Sequence, residues 1–268
     1  MDDVLKRLAT EAQQRVFGKH RGQVVDNQDP EHRGRLKLQV PSVLGDQTTN
    51  WALPCMPFGG VDGQGCYTIP EIDAQVWVEF EAGNIDQPIW VGTFWQPDTS
   101  AGDAPPEKRR FATPSGHVME FDDTDGDETF RLTHPAGTEL TVSPQGSVNW
   151  TDASGAVLQL DAENNKVELT DASGNRITMD SSGTVIQDSN GNSTEMTAAG
   201  ITIKGTVIKI EGQQVAIGGS GGEALIKAQT FLSLFNSHTH ACTAPGSPSG
   251  PPIPPLTPAV MTLKTTAS

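Results

Sequence analysis

Hydrophobic and polar residues alternate in short segments between residues 116 and 218, and glycine-containing turns separate the segments about every nine residues. Side chains two positions apart on an extended chain share a face, so each segment predicts a strand with two apolar side chains on one side. Evenly spaced short strands are typical of a sandwich, a barrel or a β-solenoid. The predicted apolar pairs are Phe130 and Leu132, Leu140 and Val142, Val148 and Trp150, Leu158 and Leu160, Val167 and Leu169, Ile177 and Met179, Ile201 and Ile203, Ile208 and Ile210, and Val215 and Ile217.

The narrowness of this apolar stripe decides among the three architectures. Burying one such side chain stabilises by about 1.5–3 kcal/mol, whereas ordering each backbone residue costs about 1–2 kcal/mol. A sandwich core usually brings more aromatic residues than Phe121, Phe130 and Trp150. Three identical chains wound around one axis would bury their stripes and close their sheet edges. The pattern therefore favours an intertwined homotrimeric β-helix, or β-prism, over a single-chain β-helix, whose coils need about 20 residues or more.

Composition adds two expectations. The 268 residues carry a net charge of −15, and residues 111–220 hold sixteen acidic and five basic side chains. An acidic exterior keeps a repetitive β-structure soluble and argues against a nucleic-acid partner, which requires basic patches. The chain has neither an apolar run near 18 residues nor the apolar core of a signal peptide, so we expect assembly in the cytoplasm. The three cysteines, an odd number without a CxxC pair, argue against a disulfide framework.

The first sixteen residues predict a short amphipathic helix, because apolar residues recur there at three-to-four spacing. This helix would either cap the following domain or dock on a neighbouring protein. Its apolar positions are Val4, Leu5, Leu8, Ala12 and Val16.

Residues 17–96 have a different texture, with denser aromatic residues and turns of glycine, proline and aspartate. Five or six short strands in this length predict a small closed barrel with its own core. The stretch DNQDPEHRGRLKLQVP predicts a hairpin with Asp29, Pro30 and Gly34 at the turn. Residues 97–115 are rich in proline, glycine and charge and predict a linker.

Three stretches of the barrel region carry a family resemblance: GKHRGQVVDNQDPEHRGRLKLQVP, WALPCMP and GCYTIPEIDAQVWVEFEAGNIDQPIWVGTFW. Together they resemble the OB-fold domain of the phage baseplate assembly protein V and VgrG-like family, the central spikes of contractile tails and related injection machines. The resemblance covers residues 17–96. It implies a homotrimer, an OB barrel docked on a baseplate hub protein and a β-helical needle below it. Some members carry a lysozyme domain after the barrel, for which the short linker leaves no room.

The motif FNSHTHAC contains the candidate metal ligands, His238 and His240. Residues two apart on an extended chain point the same way, and three chains would bring six imidazoles to a threefold axis. Six nitrogens favour octahedral iron over zinc, which prefers four ligands. Family members with this motif hold iron near the apex, which implies one iron ion per trimer here. The alternatives are two exposed loop histidines, or a sulfur ligand from Cys242.

The needle is expected to span residues 116–220 and the apex 221–242, where EALIKAQTFLSLFNS predicts a short strand followed by a helical turn. The proline-rich tail, residues 243–268, cannot form a regular ladder or helix. It would fold back along the needle, remain flexible, or dock a separate tip protein or tape measure protein.

Catalytic motifs are not recognisable in this sequence. The acidic run from Asp122 to Glu128 places Glu128 where a calcium loop needs its glycine, and His134 where the loop needs its distal glutamate. The run therefore predicts a solvated hairpin turn. The stretch GGSGG at residues 218–222 predicts a flexible break before the tip and not a GxSxG elbow, and no phosphate-binding loop is present, so we expect no enzyme. The resemblance implies a structural spike in the virion tail baseplate that pierces the host outer membrane on sheath contraction. The alternatives are a type VI-like injection system, or a solenoid polysaccharide or cell-wall hydrolase.

Overall fold

The computed structural model describes residues 15–102, 105–213 and 228–239. Eighteen strands dominate this part of the chain, which confirms the predicted all-β class. The predicted N-terminal helix lies outside the described residues up to residue 14, as does the proline-rich tail. The strands are β1 His20–Asp26, β2 Lys37–Gln39, β3 Leu53–Pro54, β4 Gly59–Val61, β5 Gln64–Gly65, β6 Gln75–Phe80, β7 Pro88–Thr93, β8 Lys108–Ala112, β9 Val118–Asp122, β10 Thr129–Thr133, β11 Glu139–Val142, β12 Val148–Thr151, β13 Val157–Asp161, β14 Lys166–Thr170, β15 Arg176–Asp180, β16 Gly183–Gln187, β17 Ser193–Thr197 and β18 Gly200–Lys204. The helices are α1 Pro41–Leu44, a 3-10 turn Glu81–Gly83 and α2 Ala228–Ser237.

The N-terminal strands form a sheet in the order β2-β1-β6-β7-β3, in which β3 runs parallel to β7 and the other pairs are antiparallel. Two backbone hydrogen bonds join the residues just before β2 and β3: Leu36 N donates to Ala52 O at 3.1 Å, and Ala52 N to Leu36 O at 2.7 Å. These bonds connect the two outer strands of the sheet and bend it into a barrel. The separate β4–β5 hairpin stands beside it.

Period-two alternation along the strands fills the barrel, because every second side chain points inward. Trp90 donates its indole N–H to the carbonyl of Gly34 at 3.0 Å, which ties the β1–β2 loop to β7. Gly34 has a left-handed φ of 75°, and a Cβ there would lie 2.9 Å from Ile69, so the loop requires glycine. The predicted hairpin is confirmed. The buried core consists of Val24, Leu36, Leu38, Val40, Ala52, Val76, Val78, Phe80 and Trp90.

Strands β8 to β18 form an eleven-stranded sheet in which each strand pairs with the next along the chain. The pairs whose registers are defined are antiparallel. The sheet is thus a single-layer meander, and it corrects the alternative of a single-chain β-helix, which needs parallel coils. Winding with other copies of the chain concerns assembly and stays a prediction.

A recurring four-residue turn explains why glycine recurs between the strands. At the turn after β12, Gly155 N donates to Asp152 O at 3.1 Å, and the Asp152 carboxylate accepts the N–H groups of Ser154 and Ala156 at 2.8 and 2.9 Å. Glycine takes the last position because its φ is +92° there. Turns starting at Asp171 and Asp188 repeat this arrangement.

The sheet begins and ends at places that the apolar pattern did not indicate. Its first strand, β8, lies inside the predicted linker. The apolar pattern did not indicate this strand, because charged residues occupy three of its five positions opposite β9. Its last strand ends at Lys204, whereas Ile208 and Ile210 were expected to continue the stripe. Residues 205–213 form no strand, and Val207 is 83 % exposed. A strand requires a hydrogen-bonding partner, and the described chain supplies none for that segment.

Residues from Lys204 onward form a second compact unit. Its helix α2 has ten residues, longer than the helical turn that was predicted, and the rings of Phe231 and Phe235 lie 5.8 Å apart along it. The short strand predicted before it lies outside the described residues. Within the described ranges, no helix has the length and apolarity to cross a membrane.

Candidate assembly face and candidate metal ligands

One face of the eleven-stranded sheet carries a continuous apolar stripe two side chains wide. The register places the predicted pairs from Phe130 and Leu132 to Ile177 and Met179 against one another: Trp150 lies opposite both Leu140 and Leu158, and Leu160 opposite Val167. Trp150 is 51 % exposed and Leu169 47 % exposed, so the stripe is largely open to solvent in one chain. The stripe runs through Phe111, Met119, Phe121, Phe130, Leu132, Leu140, Val142, Val148, Trp150, Leu158, Leu160, Val167, Leu169, Ile177, Met179, Ile186 and Met196.

The opposite face of the sheet is mainly polar. A row of directly paired residues crosses it, from Glu120 through Thr141, Gln159 and Glu168 to Glu195. A sheet with one apolar and one polar face is stable only when the apolar face is covered. The stripe is therefore a candidate assembly surface.

Near its first strands the stripe deepens into an open hollow of about 510 Å³. Trp150, Leu132 and Phe111 are among the apolar side chains that line it, and His117 and His134 stand at its border. The two imidazole centroids are 4.8 Å apart. Sequence reasoning treated these histidines as ordinary polar positions, because only the β9–β10 register brings them together.

Carboxylates line the row of turns at one end of the strands. Asp152, Asp171 and Asp188 occupy the same position in alternate turns, and alternate turns of a meander lie at the same end of the strands. Hydrogen bonds from the side chains of Ser154, Asn175 and Asn192, respectively, are the main cause that lowers the pKa of each carboxyl. This row of turns is thus negatively charged near neutral pH.

The acidic run after β9 forms a hairpin turn, as predicted. Asp122 accepts hydrogen bonds from the N–H and the hydroxyl of Thr124 at 3.1 and 2.6 Å, and β10 begins at Thr129. The carboxylate of Asp122 therefore stabilises the turn itself. Among the described residues, no three or more His, Cys, Asp or Glu side chains form a metal-binding group within one chain.

A nearly buried ion pair shapes the β1–β2 loop of the barrel. The Asp29 side chain is 2 % exposed and accepts a hydrogen bond from the Arg35 guanidinium at 2.6 Å. It also accepts the backbone N–H groups of Glu31, Arg33 and Arg35. The Arg35 hydrogen bond is the main cause that holds the pKa of Asp29 well below its usual range. The sequence indicated only a turn here, because the pairing of Asp29 with Arg35 becomes apparent only in the folded loop.

The β4–β5 hairpin exposes large apolar side chains beside the barrel. Phe58, Val61 and Tyr67 are each about two-thirds exposed, and they border an open hollow of about 1210 Å³ that also includes His32 and Arg33. Exposed aromatic residues beside a cationic group are common in protein interfaces. The glycine-rich stretch between two aromatic residues was the available sequence signal, and it was not used.

His238 is placed directly after helix α2, with its backbone N–H donating to Leu234 O at 3.0 Å. Its ring Nδ1 hydrogen-bonds the carbonyl of Phe235. Because a carbonyl only accepts, Nδ1 is the donor in this hydrogen bond, a contact that metal-ligating histidines commonly make through their second ring nitrogen. The second candidate ligand, His240, and Cys242 lie outside the described residues.

Comparison with known proteins defines the class of the barrel. Residues 20–95 match the family model of the type VI secretion system/phage-baseplate injector OB domain. The barrel is therefore an injector OB domain of the kind found in baseplate central spikes and VgrG-like proteins, and the resemblance seen in the sequence is confirmed. A stretch of 53 residues, 20 % of this chain, is 47 % identical to the pre-baseplate central spike protein Gp5 of Enterobacteria phage T4. The match spans 9 % of the length of that relative.

Solved structures resemble the chain only distantly. The TCP domain of SAS-4 from Drosophila melanogaster, in complex with a proline rich motif of Ana2, is 18 % identical with a TM-score of 0.23 and covers 42 % of this chain and 99 % of its own. The G-box domain of the microcephaly protein CPAP is 13 % identical with a TM-score of 0.28 and covers 69 % and 99 %, respectively. Scores this low define no common fold.

Proposed function

We propose that this protein is the structural central spike of a contractile phage tail baseplate, active as a homotrimer. The observation that supports this most strongly is the uncovered apolar stripe. The chain combines an injector OB domain with a sheet that cannot bury its own apolar face. Three copies facing one axis would cover all three stripes at once. Contacts along the whole stripe would then join the chains, and bending the needle would break many of them together.

In this proposal the OB barrel attaches the spike to the baseplate hub. The exposed β4–β5 hairpin, with Phe58, Val61 and Tyr67, offers an apolar contact surface beside the barrel. The Asp29 and Arg35 ion pair holds the neighbouring loop in one shape, so the contact surface needs little ordering on binding. The needle transmits the force of sheath contraction and pierces the host outer membrane. The work is mechanical, and no covalent step is assigned to the chain.

An iron ion at the apex would tie the three chains together. We propose His238 and His240 of each chain as its six nitrogen ligands. The Nδ1 hydrogen bond of His238 to Phe235 supports this choice, since it orients the ring. The ion would supply cross-linking of the tip.

The injector family also includes type VI secretion systems, so the same spike in a bacterial injection machine is the second candidate. Both candidates share the trimer, the hub contact and the piercing role. They differ in the particle that carries the spike.

The mass of the purified protein in solution tests the proposal. Three chains of 28.5 kDa predict a particle of about 86 kDa by light scattering or native mass spectrometry. Electron microscopy of the same sample should show one short rod. A well-folded particle with the mass of one chain would overturn the proposal, because the stripe would then be stable while exposed.

A further inference from the structure

Strand β8 is the basic strand of an acidic sheet. Residues 105–204 contain seven lysines and arginines, and three of them are consecutive in β8. These three are Lys108, Arg109 and Arg110. Strand β8 also lies at the edge of the sheet, with β9 as its neighbour in the sheet order. Within the sheet, β8 therefore makes its cross-strand side-chain contacts with β9.

The register places an acidic residue opposite or beside each of these cations. Lys108 lies opposite Asp122, with 3.5 Å between Nζ and Oδ2. Arg110 lies opposite the nearly buried Glu120, with 3.7 Å between the charged groups. On the other face, Arg109 pairs with Asp123, one residue beyond the end of β9. Charge thus holds β8 on both faces of the sheet.

Apolar attachment of β8 is correspondingly weak. Its two positions on the apolar stripe are occupied by Arg109, opposite Phe121, and by Phe111, opposite Met119. Interior strands such as β13 place two large apolar side chains there, Leu158 and Leu160. Strand β8 therefore lacks half of the apolar contacts of an interior strand and relies on ion pairs instead.

We propose that β8 is an electrostatic latch, a strand that leaves the sheet locally when ionic strength rises while the interior strands stay paired. Salt shortens the screening length from about 10 Å at 0.1 M to about 3 Å at 1 M, which weakens the ion pairs of β8, most of all the exposed pair of Arg109 with Asp123, and leaves apolar contacts intact. Opening the latch frees residues 108–117. At about 3.3 Å per residue they lengthen the connection between barrel and sheet by about 33 Å. The reach of the barrel therefore depends on ionic conditions.

Hydrogen exchange of the full-length protein, followed by mass spectrometry at about 0.05 M and about 1 M NaCl, tests the latch. We expect amides of β8 to exchange about tenfold faster at high salt, since three modest ion pairs together correspond to about that factor. Amides of β12 to β14 should not change, and they report that the sheet remains folded.

A pair of double variants separates the latch from general charge effects. Lys108→Gln with Arg110→Gln should exchange fast in β8 at low salt and keep only the part of the salt response that comes from Arg109 and Asp123. Lys166→Gln with Arg176→Gln removes two ion pairs of Glu168 from interior strands and should leave β8 unchanged. Salt-independent protection of β8 equal to that of β13 would overturn the proposal, as would an equal salt response in all strands.

Discussion

Leu158 in β13 lies directly opposite Leu169 in β14, on the face of the sheet where Leu169 keeps almost half of its surface exposed. This pair typifies the stripe, in which side chains meet across strands but have open solvent above them. The need to cover that surface is the physical reason for the proposed assembly, and it makes the expected consequences of single substitutions specific to one face.

A charge placed on the stripe should prevent assembly. Val148→Glu would put a carboxylate between Val142 and Leu160, where burial costs several kcal/mol per ion and lowers the association constant at least about hundredfold. Light scattering at fixed chain concentration measures the loss of the trimer. The control is Asn149→Glu, the next residue of the same strand on the polar face, which should leave the trimer intact. Equal effects of the two variants would contradict an assembly role for the stripe.

Removing the loop carboxylate should destabilise the barrel. Asp29→Asn leaves the Arg35 guanidinium, 11 % exposed, with only the exposed carboxylate of Glu31 as its anion, and we expect a loss of about 3 kcal/mol in the free energy of unfolding. Four of the five tryptophans lie in the barrel region, so urea unfolding followed by fluorescence reports on it. Arg33→Gln breaks the exposed pair with Glu31 and should cost less than about 0.5 kcal/mol. A similarly small cost for Asp29→Asn would argue against the buried pair.

The same carboxylate predicts a pH dependence of barrel stability. Its pKa is depressed in the folded protein, so the unfolded chain binds the proton first as the pH falls. The contribution of Asp29 is therefore complete above the ordinary aspartate pKa of about 3.9 and declines as the pH falls further. The difference in unfolding free energy between the parent and Asp29→Asn should be constant from neutral pH to about pH 5 and shrink below pH 4. A constant difference down to the acid limit would contradict this assignment.

One glycine of the sheet is required by space and not only by conformation. A Cβ on Gly183 would lie 2.0 Å from the carbonyl oxygen of Met196 in β17, and φ is +147°. Gly183→Ala should cost about 3 kcal/mol or more, whereas Gly191→Ala, at φ +85° with open space around it, should cost about 1–2 kcal/mol. Thermal unfolding at matched chain concentration compares the two. Equal costs would show that β16 and β17 separate enough to accept a methyl group.

Replacement of the two candidate ligands should remove the metal and keep the trimer. His238→Ala with His240→Ala eliminates all proposed nitrogen ligands, while the stripe is unchanged. Elemental analysis of the purified protein should find about one iron per three chains in the parent and none in the variant. Cys242→Ala is the control for a sulfur ligand and should retain the metal. Equal iron in parent and double variant would end the assignment.

The sequence pattern predicted the barrel and most of the sheet well, for identifiable reasons. Alternation such as Leu158, Gln159 and Leu160 is local, so it identifies a strand without knowledge of its neighbours. Turn glycines such as Gly155 mark strand ends for the same reason. The barrel stretch had a family resemblance along its whole length, and the match over residues 20–95 confirmed it.

Other features depend on partners distant along the chain and were missed. Strand β8 is recognisable only through the carboxylates of β9 opposite Lys108 and Arg110. The ion pair of Asp29 with Arg35 requires the folded loop, and the approach of His117 to His134 requires the hairpin register. In each case the sequence contains the residues but not the distance between them.

The sequence by itself determined the period of the strands, the places where they end and the presence of a stripe too narrow to stand alone. The tertiary structure alone decided that the strands form an antiparallel meander in one layer, since parallel coils satisfy the same alternation equally well. The physical reason is that alternation specifies which face a side chain takes, whereas backbone hydrogen bonds specify which strand lies beside it.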